Sequence, residues 1–178
     1  MLRFFITFVV LQGVFFGVEL TPWAQEYFVE PWTRTLAAIS SWLVAVVDPN
    51  VAAAGKVIRS NANGFAVSIE AGCNGVEATI VLIAAMCAFP ADWRQKLVGL
   101  AFGVLAVQGL NIVRVISLFY LGQWDLQMFE WAHLYVWQAL IMLDVLVVWL
   151  VWVRMLPAAN RGGNRGGPSG GSAAPASA

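Results

Sequence analysis

The sequence predicts an all-α polytopic membrane protein: about four transmembrane helices, one re-entrant or interfacial helix and a short extracytoplasmic β-hairpin. Three observations carry that fold class. Of 178 residues, 60% are hydrophobic and 11% charged, and mean hydropathy is +0.75, far from the soluble globular mix. Apolar runs near the length of a bilayer crossing recur along the chain. Polar stretches marked by glycine or proline separate them. Ten basic residues balance ten acidic ones, and without a basic block nucleic acid is an unsuitable partner.

The first run, "FFITFVVLQGVFFGV", follows Arg3 and continues to Trp23, roughly 20 residues and enough for one crossing. The next stretch, "ELTPWAQEYF", lacks a small-x-small cleavage site, so the run reads as a retained anchor rather than a signal peptide. The patch "LAAISSWLVAVV" at 36–47, closed by Asp48-Pro49, is about a dozen residues and too short to span, which favours a re-entrant or interfacial helix. In "GKVIRSNANGFAVSIEAG", an Asn-Ala-Asn-Gly turn precedes alternating Phe65, Val67 and Ile69, the pattern of a hairpin over 56–70. Its edge could pair with an extended peptide.

Three spans follow, at about 75–90, 97–121 and 134–153, ended by Pro90, Gly122 and Arg154. Arg94 and Lys96 mark their short loop as cytoplasmic, whereas the 122–133 loop carries no Lys or Arg. Arg3, Arg154, Arg161 and Arg165 agree, while Arg34, Lys56 and Arg59 in the outward loop run against the rule. Residues 1–156 thus form one membrane-embedded domain. Residues 157–178, rich in Gly, Ala, Ser and Pro, read as a disordered cytoplasmic tail.

This topology places Cys73, at the start of the third apolar helix, and His133, at the start of the last, on the outer membrane face. Arg114 lies on the intervening span, at a depth of roughly 10 Å from its outer end, and can snorkel toward them. An arginine within a span needs a partner or a cavity; Glu77, one turn beyond Cys73, is the candidate for neutralising it, with Asp144 deeper. Each residue has an ordinary reading alone: a buried filler thiol, an interfacial histidine among tryptophans, an arginine in a structural ion pair. Together they suit thiol chemistry. A cation and a helix dipole stabilise thiolate, histidine carries the proton, and arginine holds the developing oxyanion or fixes the substrate. Asn111, one turn from Arg114, is placed to orient it.

Cys73 and Cys87, on one helix, would be separated by roughly 21 Å, which excludes a disulfide between them and a zinc site shared with the sole histidine. No metal and no cofactor is expected, since no nucleotide-binding fingerprint occurs.

The stretches "AGCNGVEA", "NIVR" and "EWAHLY" resemble the exosortase and archaeosortase family of membrane-embedded cysteine transpeptidases. The closest likeness is to exosortase H, on the small size, the "CNG" and the stretches "RVISLFYLGQW" and "HLYVWQALIMLD". The resemblance implies a catalytic set of Cys73, Arg114 and His133, with Asn74, Glu77 and Asn111 supporting. It implies a multi-pass protein of the bacterial inner membrane with a periplasmic active site. The implied partners are exported proteins with a C-terminal sorting signal, of Ile-Pro-Thr-Leu-x-x-Trp-Gly type, and a transmembrane tail, cleaved through a thioacyl intermediate. The alternative is a non-catalytic transport or assembly subunit holding a buried Arg, Glu and Asp network.

Overall fold

The computed structural model describes residues 2–157; the tail expected to be disordered lies outside the described residues except for Pro157. Helix α1 is Leu2–Glu19, followed by the short α2, Pro22–Ala24, and a π-turn, Gln25–Val29, that leads into α3, Glu30–Ala45. Strands β1 (Val51–Ala54), β2 (Val57–Ser60) and β3 (Ala66–Ser68) come next, then α4 (Val76–Ala88) and α5 (Trp93–Trp124). Helix α6, Leu126–Trp131, passes through a second π-turn, Ala132–Val136, into α7, Trp137–Met155.

Among the described residues, three helical segments are long and apolar enough to cross a membrane: Leu2–Glu19, Trp93–Trp124 and the continuous run Leu126–Met155. The span expected at 75–90 is instead the 13-residue α4, about 20 Å long at 1.5 Å per residue, shorter than a bilayer's hydrocarbon core. It is shortened at one end by the glycine-rich turn before Val76 and at the other by Pro90. Helix α4 packs between α1, α5 and α7. Phe4 of α1 meets Phe89 edge-on at 6.2 Å and Trp149 of α7 at 6.1 Å, so the first helix is part of the bundle.

The patch expected as a separate helix at 36–47 belongs to the longer α3, which begins at Glu30 with Pro31 in its first turn, where proline's missing N–H costs nothing. Thr33, Leu36, Ala37, Ser40, Ser41 and Val44 are its buried residues, the spacing of one helical face. That face lies against β1, β2 and α5.

The expected hairpin is a three-stranded antiparallel sheet in the order β1-β2-β3. Val51 pairs with Ser60 and Ala54 with Val57, closing a tight turn at Gly55, φ 63°. The second turn uses Gly64, φ 76°, with Asn63 Oδ1 accepting the Phe65 amide at 3.0 Å. Ile58 and Val51 join Leu36, Ala37, Val44, Ile69, Val115 and Phe119 in one core beneath the sheet. A second core, built on Leu82, Met86, Val107, Ile141, Val145 and Trp152, binds α4, α5 and α7.

The α5–α7 contact depends on a small residue, as helix packing in lipid generally does. A Cβ on Gly99 would lie 2.1 Å from Trp152 Nε1, and that indole donates to the Gln95 carbonyl at 3.1 Å. Gly99→Ala is therefore expected to lower stability in detergent by about 1–3 kcal/mol through overpacking. Gly109, with nothing near its added methyl, should instead gain up to about 1 kcal/mol on conversion to alanine. Thermal unfolding of the two variants against wild type checks the contrast.

Candidate active site

The turn from Ile69 to Gly75 joins the sheet to α4 and carries Cys73. Ile69 is buried and its amide donates to Lys56 O at 3.0 Å, which fixes where the turn leaves the sheet. The Lys56–Glu70 ion pair and a hydrogen bond from Ser68 tie down the next residue, and these donors hold the Glu70 carboxyl below the usual carboxylate range. Gly72 and Gly75 take φ of 81° and 73°, left-handed backbone that glycine adopts without strain. Cys73 thus stands three residues before α4, not on its first turn.

Asn74 anchors the turn from within. It is 1% exposed; its Nδ2 donates to Thr33 Oγ1 at 3.2 Å, and its Oδ1 accepts the Val76 amide at 3.0 Å. Its carbonyl accepts Trp32 Nε1 at 3.2 Å. Gln108 of α5 secures the other side, donating to Gly75 O at 3.1 Å and Thr79 Oγ1 at 3.0 Å. A Cβ on Gly75 would sit 2.9 Å from Gln108 Oε1 and 3.0 Å from Asn111 Nδ2. The turn is therefore pressed onto α5 at a position where only glycine fits.

Three chemistry-bearing side chains meet at this turn. Cys73 Sγ lies 3.7 Å from His133 Nε2 and 4.0 Å from Nδ1. Arg114 donates from one terminal nitrogen to Sγ at 3.5 Å and from the other to the Gly72 carbonyl at 3.2 Å. Arg114 is 2% exposed, yet its Nε has no partner. Among the described residues no carboxylate pairs with it, so the expected Glu77–Arg114 ion pair is not formed. Glu77 instead accepts the Gly72 amide at 2.6 Å, because the turn brings that N–H within its reach. Asn111 is fully buried, but neither amide atom finds a partner; it lies under Gly75 rather than orienting Arg114. Asp144, also without a partner for its Oδ2, takes no part in the cluster.

Sequence reasoning missed Trp32, Thr33 and Gln108. Only Gln108 left a signal, a polar amide one turn from Asn111 inside an apolar helix. It missed as well the π-turn that carries His133, a helical irregularity often found at functional sites.

Beside the turn, a groove of about 480 Å³ runs between α1, α4 and α7. Phe4, Phe8, Phe16 and Trp149 give it apolar walls, and it reaches Glu77 and Arg114.

A cysteine held between imidazole and guanidinium thus stands in a protein whose long apolar helices can cross a membrane. The chain belongs to the transmembrane exosortase family (Exosortase_EpsH), whose profile matches residues 3–151. No curated protein and no solved structure matches it.

Burial pushes the Cys73 thiol above its ordinary range; Arg114 pulls it down, and Glu77 and Glu70 push it up. The net direction disfavours the thiolate, so a base beside the sulfur matters for any attack by it. Alkylation of Cys73 by iodoacetamide, read by peptide mass spectrometry across pH, should show a midpoint above that of a free cysteine. Arg114→Gln is expected to move the midpoint higher and Glu77→Gln to move it lower.

Proposed function

We propose that the protein is a cysteine transpeptidase or protease that cleaves C-terminal sorting signals of exported proteins at the outer face of the inner membrane. The observation that carries this reading is the contact of Cys73 Sγ with both His133 and Arg114, brought from three separate segments to one point. Family membership supplies the substrate class.

The chemistry follows from the placement. His133 takes the proton from Cys73 as Sγ attacks the scissile carbonyl carbon. The new C–S bond drives the carbonyl electrons onto oxygen, and the Arg114 guanidinium stabilises that oxyanion. Collapse breaks the C–N bond, His133 returns its proton to the departing amine, and the tail segment leaves. An incoming amine, hydroxyl or water then attacks the thioester, with His133 as base, and restores the thiol. A thiol whose ionisation is disfavoured by burial suits this sequence, because His133 then removes the proton as attack proceeds.

The substrate reaches the site by its own hydrophobic helix, moving laterally in the membrane. The apolar groove between α1, α4 and α7 ends at Gly72, Glu77 and Arg114, which supports delivery of the helix's outer end to the thiol. Confinement to that place raises the effective concentration of the scissile bond. β3 is an edge strand with β2 as its neighbour, available to an extended motif by strand addition. The signal is of the Ile-Pro-Thr-Leu-x-x-Trp-Gly type, and in this reading α4 forms the fourth crossing, with Cys73 outside it.

The test is co-expression with a tagged protein bearing such a signal. Cys73→Ala and His133→Ala should each leave the substrate full length while the enzyme stays as abundant as wild type, and Arg114→Gln should slow processing by about a hundredfold or more. Undiminished processing by Cys73→Ala would exclude the thiol mechanism and favour a structural role for the cluster.

A further inference from the structure

In Cys-His sites a third side chain commonly orients the imidazole by bonding its second nitrogen. Among the described residues, His133 has no such partner: Cys73 Sγ is the group within reach of either ring nitrogen. The ring is nonetheless fixed by a different contact. Phe129, four residues earlier, lies parallel to it at an interplanar angle of 6° and a centroid separation of 5.7 Å, within the range of offset stacking. The pair spans the junction of α6 with the π-turn Ala132–Val136, at the four-residue spacing that brings side chains together on one helix face.

Phe129 is itself held from outside the helix. A Cβ on Gly122 would fall 3.2 Å from Phe129 Cδ2 and 2.4 Å from Phe65 Cζ, so both rings converge on the bare backbone of α5. Phe65 comes from the turn between β2 and β3 and also packs against Phe119 at 5.9 Å. That turn is fastened to the same end of α5 by Asn63 Nδ2 donating to Gln123 Oε1 at 2.8 Å. A contiguous path of contacts therefore runs from the sheet tip, through Phe65 and Gly122, to Phe129 and the imidazole.

We infer that Phe129 is the positioning residue for His133, doing by ring stacking what a carboxylate does in other Cys-His sites, and that Gly122 and Phe65 hold it in register. This assignment rests on His133 being the proton carrier proposed above. Parallel stacking restricts the ring plane yet leaves both nitrogens free of a competing acceptor, so either can serve Cys73.

Because His133 is the sole histidine, its imidazole signals in a carbon–proton NMR spectrum of the full chain in nanodiscs are assigned without ambiguity. The Phe129 ring should hold at least one imidazole proton at a ring-current-shifted position. Phe129→Leu is expected to abolish that shift and to slow substrate cleavage by on the order of tenfold to a hundredfold, chiefly in kcat. Phe129→Tyr should restore both, and Gly122→Ala should disturb the shift by displacing Phe65. Unchanged imidazole signals in Phe129→Leu and Gly122→Ala would overturn the inference whatever the activity shows. A lost shift with unchanged cleavage would overturn the positioning role. The NMR readout does not depend on the thiol being catalytic, so failure of the Cys73→Ala test would be told apart from failure here.

Discussion

The constraint on which the site depends is the burial of Arg114. A guanidinium with 2% exposure in the middle of an apolar helix is costly unless charge or hydrogen bonds answer it. Here the answer is incomplete: a carbonyl, a sulfur atom and an Nε without a partner. Such a cation is prepared for negative charge that appears transiently beside it. In the proposed reaction a thiolate on Cys73 or an oxyanion on an attacked carbonyl would supply that charge, and low-dielectric surroundings would strengthen the interaction. The same burial disfavours a permanent thiolate, which explains why Cys73 is raised rather than lowered despite its cationic neighbour.

Much of the remaining structure holds the cysteine against that cation. The left-handed glycines let the chain turn sharply between β3 and α4. Asn74 binds the turn to α3 and Gln108 binds it to α5. The small sheet is fastened on two sides: its inner face joins the α3–α5 core, and its tip reaches the end of α5 through Asn63 and Phe65. Helices α1, α4 and α7 enclose the groove that ends at the same turn. The geometry of the cluster thus rests on a few buried polar contacts, which specify an arrangement that apolar packing alone does not.

The membrane class and the cluster of Cys73, Arg114 and His133 were legible because each left a local mark: long apolar runs, a charge where charge is expensive, and a lone imidazole. The span boundaries were less so. Hydropathy does not show that glycine and proline cut α4 to 13 residues, since Ala and Phe near its ends remain apolar. β1 went unread because "VAAA" lacks the alternation that marks a strand. The pairing of Glu77 was misread because sequence spacing ignores the backbone amide of Gly72, a nearer donor than the guanidinium. The contacts of Asn74 with Trp32 and Thr33 join residues about forty positions apart, and no local pattern encodes them. The π-turn at His133 likewise arises from packing and has no composition of its own.

The most direct test is mass spectrometry of the purified protein incubated with a protein carrying the sorting signal and its hydrophobic tail. The account requires a thioester-linked substrate fragment on the peptide containing Cys73, labile to hydroxylamine and absent from Cys87. Substrate cleaved at the signal by the wild-type protein while Cys73 stays unmodified throughout, with Cys73→Ala cleaving equally well, would contradict it.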